Sequence, residues 1–85
     1  MITIIGVTAS WCKPCKSFMP LIREECAKLG LPFSIRDAAV EVDFANAHGV
    51  KSAPTLLVFK DGELFNRVSG VKPAHELSEF LAEHI

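Results

Sequence analysis

The run Trp11-Cys12-Lys13-Pro14-Cys15-Lys16 sets two cysteines three positions apart, just beyond an apolar opening segment, Met1 to Val7. That segment reads as a buried strand. Past the cysteines, Phe18, Leu21, Ile22, Cys26 and Leu29 recur at helical spacing. The pair therefore stands where a strand hands over to a helix. Residues three apart on a first helical turn are near neighbours, at a Cα separation a disulfide tolerates. Cys12 falls at the positive end of the helix, whose unpaired N–H groups favour a thiolate over a thiol, and Lys13 and Lys16 add positive charge. A thiolate nucleophile (Cys12) with a resolving thiol one turn later (Cys15) is suited to dithiol–disulfide exchange.

Composition narrows the alternatives. Eighty-five residues, 49% of them hydrophobic, suffice for one modest core, so residues 1–85 read as one domain. Nine basic against ten acidic residues argue against a nucleic-acid binder or a polybasic membrane anchor. The longest apolar run is about half a membrane span, and no leader-like segment precedes the first strand. The expectation is a cytoplasmic monomer. Three cysteines, two of them close together, suit catalysis or metal binding better than a structural framework in a reducing compartment.

The pattern predicts strands at Ile2–Val7, Leu31–Asp37, Thr55–Lys60 and Glu63–Ser69. It predicts a helix from Lys13 to Leu29 stopped by Gly30, with Pro14 in the first turn where its missing N–H is not needed. A short helix over Val40–His48 would bury Val40, Phe44 and Ala47. A last helix from Pro73 would bury Leu77, Phe80, Leu81 and Ile85. Asp61-Gly62 signals a tight hairpin turn. The first two strands, joined through a helix, should be parallel with a right-handed crossover. The fold class is α/β, ordered βαβαββα: a four-stranded mixed sheet with helices on both faces.

With Ala53-Pro54-Thr55 ahead of a strand, Phe59-Lys60-Asp61-Gly62 at a turn and Gly70 after the fourth strand, the chain resembles the thioredoxin superfamily over nearly its whole length. Its size and element order are those of a glutaredoxin. The resemblance implies a cis Ala53–Pro54 bond facing the cysteines, with Ala53 backbone free to pair with an extended substrate. It implies that no bound cofactor is needed, electrons coming from NADPH through a partner such as thioredoxin reductase. Thioredoxins commonly hold a buried acid six residues before the first cysteine, paired with a lysine. Those positions here are Gly6 and Ile35. Glutathione-binding glutaredoxins carry a second small residue and an Asp after the last strand, where this chain has Ser69-Gly70-Val71-Lys72-Pro73. That run is similar to glutaredoxin-sized redoxins serving ribonucleotide reductase.

The candidate substrate surface comprises Trp11, Lys13, Pro14, Ala53, Pro54, Gly70 and Val71. Cys26 lies eleven residues past Cys15, a rise of about 16 Å on a helix, too far to bridge; it reads as a small buried hydrophobe. His48, His75 and His84 have no metal-ligand spacing and read as surface residues. A glutathione-linked glutaredoxin, a zinc or iron–sulfur module and a non-catalytic scaffold remain the rival readings.

Overall fold

The computed structural model describes residues 1–85. In chain order the elements are β1 (Ile2–Thr8), α1 (Lys13–Leu29), β2 (Phe33–Asp37), α2 (Val42–Ala47), β3 (Thr55–Lys60), β4 (Glu63–Ser69) and α3 (Ala74–Ala82). The four strands form one mixed sheet in the order β2-β1-β3-β4. β1 runs parallel to β2 and antiparallel to β3, and β3 and β4 form an antiparallel hairpin. Asp61 and Gly62 both take positive φ, 52° and 85°, the geometry a two-residue hairpin turn demands.

Alternation along the strands divides the side chains between two faces. Ile4, Leu56 and Val58 face α1 and α3, joining Phe18, Met19, Ile22, Cys26, Leu77 and Leu81 in one buried cluster. The opposite face carries Val7 and Leu57, both fully buried. There α2 packs through buried Ala45, and His48 sets its ring 4.4 Å from Phe44 and 5.5 Å from Phe59 on β3. His48 also donates through Nδ1 to the Phe44 carbonyl, and His84 likewise to that of Phe80, both at 2.8 Å.

Three sequence expectations shift. β2 begins at Phe33 rather than Leu31, because the Leu31 N–H is spent on the Cys26 carbonyl (2.9 Å) in the cap that ends α1. Gly30 supplies the left-handed residue of that cap, φ 70°. The second helix begins at Val42 rather than Val40. Asp37 holds the preceding turn, accepting the Val40 and Glu41 N–H groups on its carbonyl (3.1 and 2.7 Å) and the Ala39 N–H on its carboxylate (2.8 Å). The later start rotates the apolar stripe: Val40 is 77% exposed, Ala47 is exposed, Phe44 is half-buried, and Ala45 takes the buried position. The third shift is at Ile85, which is exposed because α3 ends at Ala82.

Candidate active site

Cys12 is the N-cap of α1, in extended backbone (φ −89°, ψ 100°), with its N–H donated to the Ala9 carbonyl at 2.9 Å. Pro14 occupies the first turn, and no acidic residue stands there. The positive end of a seventeen-residue helix is thus unopposed at the cysteine that starts it. Cys15 follows one turn later, Cα–Cα 5.5 Å, and the two are joined as a disulfide. Both are buried, Cys12 retaining 4% exposure and Cys15 none. Trp11 stands out beside them at 70% exposure.

The second segment of the site is Ala53-Pro54-Thr55. The Ala53–Pro54 peptide is cis. Thr55 donates its hydroxyl to the Ser52 carbonyl at 2.8 Å, tying the loop to the start of β3. Ala53 packs against the cluster that contains both cysteines, and its N–H and C=O take part in no backbone hydrogen bond. The third segment is attached to the second: the Gly70 N–H donates to the Pro54 carbonyl at 2.9 Å. Val71 beyond it is 56% exposed. Pro54 itself is buried, so the surface at this point is offered by Ala53, Gly70 and Val71 instead.

Two hollows lie near the site, one bordered by Trp11 and the other by Cys15. One, about 160 Å³, lies between Trp11, α2 and the 50–53 loop, bringing Trp11 and Ala53 to one wall. The other, about 430 Å³, lies behind Cys15 and is lined by Thr8, Cys15, Lys16, Met19, Pro20, Arg23 and Ile35. Nothing in the sequence pattern marks this second hollow, because its walls come from β1, α1 and β2 and meet only when the crossover is folded.

Cys26 is a free thiol, 1% exposed. Burial, with a smaller contribution from neighbouring Glu25, pushes it up to about 11. No three His, Cys, Asp or Glu side chains converge as a metal cage requires. No helix is long and apolar enough to cross a membrane.

The thioredoxin family model matches residues 1–83. The chain belongs to the thioredoxin family. It is 38% identical to a thioredoxin of Bacillus subtilis over 81 residues, covering 91% of this chain and 76% of that one. Against a Staphylococcus aureus thioredoxin it is 34% identical over 86 positions, covering 99% and 83%. The fold superposes on a Nicotiana alata thioredoxin with a TM-score of 0.87 at 33% identity, covering 98% of this chain and 72% of the other. On Fasciola hepatica thioredoxin the score is 0.88 at 25% identity, covering 99% and 81%. Thioredoxins are dithiol–disulfide oxidoreductases that act on protein disulfides, and with its Cys12–Cys15 pair this chain is one of them. Thioredoxins need no bound cofactor, because the cysteine pair carries the electrons.

Proposed function

We propose that Cys12 is the attacking thiol and Cys15 the resolving one. Reduced Cys12, as a thiolate, attacks one sulfur of a protein disulfide, and the other sulfur leaves as a thiolate that takes up a proton. Cys15, deprotonated, then attacks the Cys12 sulfur, releasing the second substrate thiolate and closing the Cys12–Cys15 bond. The observation that carries this reading is the capping position of Cys12: it stands on the helix end that stabilises a thiolate, next to exposed Trp11, whereas Cys15 is wholly buried one turn below.

The same arrangement supports a substrate groove. An extended segment carrying the target disulfide would lie across Trp11, Pro14, Ala53, Gly70 and Val71 and pair with the unused backbone groups of Ala53. Lys13, exposed between the cysteines, faces the same approach. Electrons would come from NADPH through thioredoxin reductase. The Ser69-Gly70-Val71-Lys72-Pro73 run supports ribonucleotide reductase as one recipient. The reaction would take place in the cytoplasm, with the chain acting as a monomer.

The test is insulin reduction driven by NADPH, with thioredoxin reductase or with glutathione and glutathione reductase supplied in turn. Turnover with the former alone is expected. Turnover only with glutathione would reject the assigned electron source.

A further inference from the structure

In the reaction just proposed, the resolving thiol must lose a proton although Cys15 is wholly buried. The cluster around it offers no base: β3 and α3 contribute Leu56, Val58, Leu77 and Leu81. Gly6 has no side chain, and Met19 Sδ and the Phe33 ring close over it, 2.7 and 3.1 Å from where a β-carbon would stand. The one concave surface that reaches Cys15 is the hollow between β1, α1 and β2.

The exposed wall of that hollow is largely apolar, with one hydroxyl and two cationic side chains set into it. Thr8 contributes a hydroxyl, and Pro20 lies on the α1 wall. Lys16 and Arg23 lie seven residues apart, on one side of α1, and neither belongs to an ion pair. The Arg23 guanidinium is seated over the Phe33 ring at 5.8 Å. No carboxylate lines the hollow. Asp37, opposite Thr8 in the β1–β2 register, is the nearest acid along the sheet, but its carboxylate accepts the Ala39 N–H in the following turn. Arg36 is paired with Glu41, and Lys13 is exposed on the turn between the cysteines.

We propose that this hollow is the proton exit of the resolving step: once the Cys12–Cys15 bond is open, water entering the hollow beside Thr8 takes the Cys15 proton, and Lys16 and Arg23 favour the thiolate. The proton passes to bulk solvent, the Cys15 sulfur attacks Cys12, the Cys12–substrate bond breaks, and the substrate sulfur leaves with the electron pair. Thr8, Lys16 and Arg23 act as positioning residues, without touching substrate. This rests on the assignment of Cys15 as the resolving thiol.

Dithionitrobenzoate separates the steps, because attack by the first thiol and resolution by the second each release one coloured thiolate. Stopped-flow traces of the reduced protein at low salt, recorded against pH, are expected to show two phases, with Cys15→Ser abolishing only the second. Loss of the first phase in that variant would instead overturn the cysteine assignment itself. Lys16→Gln with Arg23→Gln is expected to move the second-phase midpoint upward by about one pH unit, a roughly tenfold loss of thiolate below it. Thr8→Val is expected to slow the second phase several-fold, Thr8→Ser to restore it, and Ile35→Trp, which fills the mouth, to slow it likewise. Equal shifts in both phases, or none in the second, would overturn the proposal. So would a second-phase shift in Asp37→Asn, which would assign the proton to that carboxylate. Circular dichroism of each variant verifies the fold.

Discussion

A β-carbon built on Gly6 would stand 2.7 Å from the thioether sulfur of Met19, closer than van der Waals contact allows. Position 6 on β1 and position 19 on α1 are thus mutually fitted: the glycine makes room for the methionine that packs beneath the cysteines. Gly6→Ala should destabilise the protein by about 1–3 kcal/mol through overpacking. In a Met19→Ala background that penalty should shrink to what the Phe33 ring, 3.1 Å from the same point, still imposes, which denaturant unfolding of the four proteins would measure. Gly6→Asp should cost more, because an uncompensated carboxylate would be forced into an apolar site or driven to its neutral form. An aspartate variant as stable as the wild type would show that the position is wetter than its neighbours indicate.

Limiting iodoacetamide on the reduced protein should label Cys12 before Cys15 and Cys26, as read by mass spectrometry. The helix end acts on Cys12, while Cys15 lies wholly buried one turn below it. Cys15→Ser should accumulate mixed disulfides with protein substrates, and Cys12→Ser should not. First labelling at Cys15 would reverse the assignment.

Cys26 should stay unmodified until the protein unfolds, since its thiol is raised from 9.0 to about 11 by burial first and Glu25 second. The linkage has a definite sign. Between pH 9 and about 11 the unfolded chain gives up this proton while the folded chain keeps it, so stability falls as pH rises. Below pH 9 both states keep the proton, and the contribution is flat. Urea unfolding of the wild type and Cys26→Ala across that range should show a steeper decline in the wild type. Parallel curves would mean that Cys26 is solvated in the folded protein.

Val71→Asp, at an exposed position next to Gly70, should slow reaction with protein disulfides several-fold and leave a small disulfide nearly unaffected. Trp11→Ala should behave in the same direction, because the exposed ring shares a hollow with Ala53. Comparing insulin with dithionitrobenzoate gives the ratio directly. Equal losses on both substrates would assign these residues to the structure of the site rather than to partner contact.

Local pattern was enough to place β1, the whole of α1, β3, β4 and the hairpin turn. Those elements are set by short-range physics: helical periodicity, a left-handed glycine at Gly30, and the Asp61-Gly62 turn. The cysteine pair was legible for the same reason, since both residues lie within one helical turn. The start of α2 was not, because it depends on where Asp37 spends its carbonyl and carboxylate, a competition among nearly equivalent polar turns that periodicity does not resolve. Nor could sequence show that Gly6 is empty because Met19 and Phe33 fill its space, or that Thr8, Lys16, Pro20, Arg23 and Ile35 enclose a hollow against Cys15. Those relationships join residues on three separate elements. They exist only once the parallel crossover fixes the height of α1 over the sheet, and packing across the crossover, rather than any local preference, decides which side chains then meet.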